Sequence, residues 1–204
     1  MKRLFPCVIV SALLAASCSQ SAEQTPTAGG AEASCMSRAY AEIGGPFSLI
    51  DHTGAERTEA DYLGKPTLIY FGFTYCPDIC PGTLVAIERA YESLPEGVAP
   101  PQTLLISVDP ERDTPDALAS YVSTEAFPDN LVGLTGSEAQ IAAAAEQFFV
   151  QYERIEQPES LNDYTMDHTS LLYLMNEEWK LQTFFAEGAY RPDEMAECLA
   201  QHIS

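Results

Sequence analysis

From Pro66 to Phe73 the chain runs Pro-Thr-Leu-Ile-Tyr-Phe-Gly-Phe, apolar and without alternation. A strand with one wet face alternates polar and apolar residues, so this run predicts a strand covered on both faces. Thr103-Leu-Leu-Ile-Ser-Val108 predicts a second central strand and Leu131-Val-Gly-Leu134 a third. Phe47-Ser-Leu-Ile50 predicts a short strand ahead of the turn Asp51-His-Thr-Gly54. Between these runs the spacing becomes helical. Leu84, Ile87 and Tyr91 form one apolar stripe, and Pro81 fits the first turn of that helix, where its missing N–H costs nothing. Asp113-Thr114-Pro115-Asp116 caps a helix through Val122, and Ser137 with Gln140 forms a capping box for the Ala-rich helix that follows. Phe148 to Ile155 fits either the end of that helix or a short strand. Thr169 to Met175 and Leu181 to Phe185 predict an antiparallel hairpin turning at Asn176-Glu-Glu-Trp179, and Arg191-Pro192-Asp193 opens a last helix ending near His202.

Strand–helix–strand units followed by a hairpin and a terminal helix define an α/β fold. The order is that of a thioredoxin-like mixed sheet flanked by helices, with a C-terminal β-hairpin and helix. This domain occupies residues 41–204. Residues 1–18 read differently, as a signal peptide or lipoprotein anchor. Met1-Lys2-Arg3 is a positive n-region, Leu4 to Ala16 an apolar h-region, and Ala15-Ala16-Ser17 places small residues before Cys18. The apolar run falls short of the roughly 20 residues needed to cross a bilayer. Lipidation of Cys18 is the favoured outcome, although the Leu usual three positions before such a cysteine is Ala15 here; simple cleavage to a soluble form is the other. Residues 19–40, rich in Ser, Ala, Thr, Gly and Gln, form a flexible linker. The expected location is therefore the periplasmic side of a bacterial membrane, reached by export and held by a lipid anchor, in a compartment that tolerates disulfides.

The 204 residues carry a formal charge of -20, with ten basic residues scattered singly. No patch exists for phosphate, which excludes nucleic acid as a partner and excludes charge-driven binding to anionic lipid. The acidity reads as a solvated, self-repelling surface.

Cys76 and Cys80 stand in Thr74-Tyr75-Cys76-Pro77-Asp78-Ile79-Cys80-Pro81, where the buried strand gives way to a helix. A helix N-terminus favours negative charge and lowers a thiol's pKa. Four residues apart, the two sulfurs share one face of the first turn and can close a reversible disulfide or hold a soft ion. A permanent staple is the weaker reading, because so small a ring constrains little of the unfolded chain. Two thiolates are too few for structural zinc but suit Cu(I), which one imidazole would make three-coordinate. The histidines are His52 in a turn, His202 at the C-terminus, and His168 between a polar loop and the strand Thr169 to Met175. On spacing alone, each is as simply explained as a hydrogen-bonded core or surface residue.

Tyr70-Phe-Gly-Phe-Thr-Tyr-Cys-Pro-Asp-Ile-Cys-Pro81 resembles the Cys-x-x-x-Cys-Pro signature of the Sco/SenC family of copper chaperones. Ser107-Val-Asp-Pro-Glu-Arg-Asp-Thr-Pro115 resembles that family's second marker, and Met166-Asp-His-Thr169 its third. The resemblance implies a thioredoxin-like fold and a metallochaperone delivering copper to the binuclear centre of cytochrome c oxidase. It assigns copper, as Cu(I) with Cu(II) also admitted, to Cys76, Cys80 and His168, with Cys76 and Cys80 as a redox-active pair. The implied partners are the copper-bearing oxidase subunit and a periplasmic copper donor. Asp167 is a candidate to orient the His168 ring. Asp109, Arg112 and Asp113 either shape the loop beside the site or serve as a helix cap and turn ion pair. Cys35 and Cys198, outside the markers, are either a disulfide or two unpaired thiols. The rival to a chaperone is an enzyme, a thiol-disulfide oxidoreductase reducing the oxidase's copper-ligand cysteines without need of His168. A peroxiredoxin-type peroxidase ranks lower, since Thr74 lies too near Cys76 for that motif.

Overall fold

A computed structural model describes residues 42–159, 163–186, 188 and 191–203. The leader, Cys18, Cys35 and the whole of the linker lie outside the described residues. In chain order the strands are β1 Ser48–Asp51, β2 Glu56–Thr58, β3 Thr67–Gly72, β4 Gln102–Ser107, β5 Leu131–Thr135, β6 Tyr152–Glu156, β7 Tyr164–His168, β8 Leu171–Met175 and β9 Leu181–Ala186. The helices are α1 Ile79–Glu92, α2 Pro115–Val122, α3 Glu138–Gln147 and α4 Pro192–Ile203, and a 3₁₀ turn spans Glu59–Tyr62.

Seven strands form one sheet in the order β2-β1-β5-β4-β3-β8-β9, and β6 with β7 forms a separate two-stranded ribbon. β3, β4 and β5 run parallel; β8 lies antiparallel to β3 and β9 antiparallel to β8. The units β3-α1-β4 and β8-β9-α4 are the two halves of the thioredoxin-like arrangement. Every residue of β3 is buried, as its unbroken apolar run requires. α1 and α4 pack together, α2 packs over β5 and α3 against β1. Tyr70, Phe71, Phe148, Tyr173 and Phe185 are the largest fully buried side chains, with the Phe148 ring 5.4 Å from Tyr173 and 5.5 Å from Phe71. Both anticipated caps are present: Thr114 accepts the Ala117 N–H, and Ser137 and Gln140 form a reciprocal box.

Three local expectations change. Phe148 to Ile155 holds both candidate elements in succession: α3 ends at Gln147, Phe149 takes a left-handed φ of 54°, and β6 begins at Tyr152. Tyr164 to His168 is not a polar loop but β7, paired antiparallel with β6 from Tyr152↔His168 to Glu156↔Tyr164. The hairpin strand starts at Leu171 rather than Thr169. β7 was hidden because its partner is a short, mostly polar strand, so neither shows an apolar run. Cys198 is fully buried in α4 and disulfide-bonded, which removes the reading of it as an unpaired thiol; Cys35, its candidate partner, lies outside the described residues. None of the described helices is long and apolar enough to cross a membrane.

Asp51 ends β1, where its carboxylate accepts from the Thr53 N–H and hydroxyl, the Ala55 N–H and Arg57 Nε. Burial alone would raise its pKa, but the hydrogen bonds from Thr53 and Arg57 outweigh that and hold it well below the usual carboxylate range. A depressed folded-state pKa contributes stability that is complete above the unfolded value of about 3.9 and is lost as pH falls through the folded one. Asp51→Asn should therefore cost about 2 kcal/mol at pH 7, measured by urea unfolding. The gap from wild type should narrow on acidification below about pH 4; a gap independent of pH would refute this account.

Candidate metal centre

β3 delivers the chain to the turn Thr74-Tyr75-Cys76-Pro77-Asp78, and α1 begins at Ile79. Cys76 therefore precedes the helix instead of sharing its first turn, and folds back over its N-terminus. Asp78, at the N-cap position, makes no side-chain cap. The Cys76 sulfur takes that role, accepting the Cys80 N–H at 3.2 Å. Cys76 is half-buried; Cys80 is fully buried, and both are free thiols.

The two thiols are made unequal by this geometry. The Cys80 S–H donates to Cys76, and with the N–H groups of Cys80, Asp78 and Ile79 it draws the Cys76 pKa down to about 6. The same hydrogen bond, together with burial, pushes Cys80 far up, against a smaller opposing bond from the Tyr70 hydroxyl. At neutral pH one sulfur is a half-buried thiolate and the other a fully sheltered thiol. Gly72 lies beneath: a Cβ there would stand 3.3 Å from Cys80 Sγ, 3.0 Å from the Tyr70 ring and 3.2 Å from Leu105.

His168 ends β7, its Nε2 3.9 Å from Cys80 Sγ. The ring stands edge-on to Tyr70 and Phe73, with centroids 6.1 and 6.0 Å away. Nδ1 lies 3.1 Å from the Thr169 carbonyl oxygen. A carbonyl can only accept, so Nδ1 donates to it, and the tautomer this selects places the lone pair on Nε2, toward the sulfurs. Asp167 does not perform the orienting role suggested for it; it is exposed, and the Thr169 backbone does the work. Of the other histidines, His52 Nδ1 accepts the Gly133 N–H, and His202 sits in the last turn of α4.

Among the described residues, no three Cys, His, Asp or Glu side chains are already gathered as a metal-holding group. Two close pairs sharing Cys80 are what the geometry provides. One ion about 2.3 Å from a sulfur and about 2.05 Å from an imidazole nitrogen sets those atoms roughly 3.6–3.8 Å apart. The observed 3.9 Å is a few tenths wider, within reach of a side-chain adjustment. The site borders a cavity of about 380 Å³ lined by Cys76, Pro77, Ile79, Met166 and His168 among others. Thiolate, thiol and an imidazole nitrogen suit a soft ion; without one, the same thiols suit disulfide exchange.

Residues 36–204 match the SCO1/SenC family profile. The chain belongs to the SCO1/SenC family. It is 40% identical over 163 residues to the human mitochondrial SCO1 homolog, a match covering 79% of this chain and 53% of that protein. The SCO1/SenC domain thus spans about half the length of the curated relatives it matches. Its fold superposes on Arabidopsis thaliana ScoI with copper bound (39% identity, TM-score 0.73, 79% of this chain and 98% of that one). It likewise superposes on copper-bound Bradyrhizobium japonicum ScoI (38% identity, TM-score 0.69, 79% and 99%).

The second SCO1/SenC marker does more than cap a helix. Asp113, fully buried, accepts from the Thr74 N–H, the Thr74 hydroxyl at 2.5 Å and the Ser107 hydroxyl at 2.6 Å. That ties the loop after β4 to the residue two before Cys76. Asp109 pairs with Arg112 and accepts the Tyr164 hydroxyl at 2.8 Å. Burial and the bond to Asp109 push the Tyr164 phenol up to about 12, so it stays a donor at neutral pH. Sequence reasoning missed Tyr164 and Thr169. The alternation Tyr164, Met166, His168 was the available signal for β7, and no pattern announces a backbone carbonyl as a ring partner.

Two outcomes follow from the thiol geometry. Alkylation of the reduced protein by iodoacetamide should rise through a midpoint near pH 6 at Cys76 while Cys80 stays protected; peptide mapping that finds a midpoint near pH 9 would contradict the capped thiolate. Gly72→Ala should cost about 1–3 kcal/mol in thermal or urea unfolding, since its methyl presses on Cys80, Tyr70 and Leu105.

Proposed function

We propose that the chain is a copper metallochaperone that holds Cu(I) between the Cys76 and Cys80 sulfurs and His168 Nε2 and delivers it to the binuclear centre of cytochrome c oxidase. The observation that carries the reading is the 3.9 Å approach of Nε2, lone pair forward, to the buried sulfur of a thiolate–thiol pair. Thiol–disulfide exchange can proceed without a metal-ligating nitrogen, whereas a three-coordinate soft-ion site requires one. Copper-bound ScoI relatives at 38–39% identity support it, as does the role attached to the Sco/SenC resemblance. In this reading copper is cargo. Binding expels the Cys80 proton, since Cys76 is already ionised at pH 7, so affinity climbs with pH. Exchange with a disulfide-bearing oxidant, which takes up two electrons and is reduced to two thiols, converts the pair to a Cys76–Cys80 disulfide, removes both thiolates and releases the ion. The partners are the copper-bearing oxidase subunit and a periplasmic donor, met on the periplasmic side of a bacterial membrane, with the domain tethered through a lipid on Cys18.

A second reading rests on the thiol asymmetry. The Cys76 thiolate attacks a partner disulfide and expels one partner thiolate; Cys80 passes its proton to that thiolate, attacks the mixed disulfide, expels the second partner sulfur as a thiolate, and leaves a Cys76–Cys80 disulfide. Two electrons pass to the partner, as a reductase of the oxidase's copper-ligand cysteines requires.

Anaerobic Cu(I) titration of the reduced protein separates the two. One tightly held copper per chain is expected, lost in Cys76→Ser and Cys80→Ser. His168→Ala should weaken binding by at least about a hundredfold, the upper end of what losing even an outer partner costs. Full oxidase assembly in cells carrying His168→Ala, despite that loss, would replace the chaperone with the reductase.

A further inference from the structure

The β6–β7 ribbon is a sheet of its own, so the seven-stranded ladder does not fix its tilt. At the His168 end it is joined to β8 through a two-residue link, and the Thr169 N–H donates to the Gln151 carbonyl. The other end rests on the loop after β4. There Arg112 Nη1 donates to the Tyr164 carbonyl at 3.1 Å, its guanidinium lies 3.6 Å over the Tyr164 ring, and Nε pairs with Asp109 at 2.5 Å. The same guanidinium stands 4.6 Å over the ring of Tyr75, the neighbour of Cys76. Arg112 thus touches both the strand that ends in His168 and the turn that carries Cys76.

We propose that Arg112 is the positioning residue that docks the β6–β7 ribbon against the cysteine turn and thereby sets the His168–Cys80 spacing. The inference rests on the copper-ligand reading above. Tyr164 precedes His168 by four residues, so both side chains leave the same face of β7, about 13 Å apart. A clamp at Tyr164 fixes the angle at which the strand presents its far end. Arg154 also lies 3.6 Å over the Tyr164 ring and pairs with Glu111, but those two side chains are 42% and 67% exposed, where an ion pair contributes little. Arg112 is 14% exposed and Asp109 2%. Its planar fork stacks on Tyr164 while bonding a carbonyl and a carboxylate together, which a lysine cannot do.

A double-mutant cycle on the full chain tests this, reading Cu(I) affinity by competition with a bicinchoninate chelator and, separately, the midpoint potential of the Cys76–Cys80 pair against glutathione. Arg112→Met should weaken Cu(I) binding about tenfold, as outer-partner losses do. Arg112→Lys should recover little of it, and in a His168→Ala background Arg112→Met should add nothing. The midpoint potential should stay at the wild-type value. If Arg112→Met fails to fold, Arg112→Gln, which loses the charge and the planar fork but keeps one amide donor, takes its place in the cycle with the same expected non-additivity. Unchanged affinity, an equal loss in both backgrounds, or a shifted potential would each overturn the positioning role. If His168→Ala alone leaves affinity intact, the ligand assignment itself fails, and the positioning role with it.

Discussion

Antiparallel pairing of β3 with β8 is the constraint from which the site follows. Thr67 faces Met175 and Tyr70 faces Leu172. Continued past the ends of both strands, that register sets His168 opposite Thr74, two residues from Cys76. A slip by one residue would turn every side chain of β8 to the opposite face, set Tyr173 and Met175 where Leu172 and Leu174 pack, and swing the lead-in to the strand away from the sulfurs. The same hydrogen-bond ladder therefore holds the core together and brings the lead-in to β8 up to the cysteine turn, while the tilt of the separate β6–β7 ribbon is left to other contacts.

On that frame, two local devices prepare the chemistry. The start of α1 leaves backbone N–H groups in need of an acceptor, and the Cys76 sulfur fills that need, which ionises it and leaves the proton with Cys80. The Thr169 carbonyl fixes the His168 tautomer from the opposite side. Neither device involves a charged neighbour, so both are insulated from the strongly acidic surface of the chain. Thiol exchange needs only the first device, whereas ion capture needs both. Their coexistence makes the imidazole the element that separates a carrier from a reductase.

The loop from Ser107 to Asp113 links the two devices mechanically. Asp113 bonds the backbone and hydroxyl of Thr74, while Asp109 and Arg112 grip Tyr164. A stretch readable as a turn and a helix cap is in fact the joint between two segments nearly ninety residues apart in sequence. Its polar groups are bonded to one another, which offsets part of the cost of holding charges beside an apolar core; burial still pushes the Asp113 carboxyl up against the bonds from Ser107 and Thr74.

The sequence by itself determined the layered α/β fold, because unbroken apolar runs admit only two-sided burial and the caps at Thr114 and Ser137 are local chemistry. It also determined the candidate donors, through the cysteine spacing and the three family-like markers. Tertiary structure alone decided the rest. β7 is a strand only because β6 offers it a ladder, and a three-residue edge strand such as β2 is likewise invisible without its partner. The ring partner of His168 is a backbone atom common to every residue, so no composition could single it out in place of Asp167. Which cysteine ionises depends on where a helix begins to within a residue or two, and Arg112 meets Tyr75 and Tyr164 only after distant segments converge. Local pattern encodes what each segment buries; the distances between segments come from packing, which no window of sequence contains.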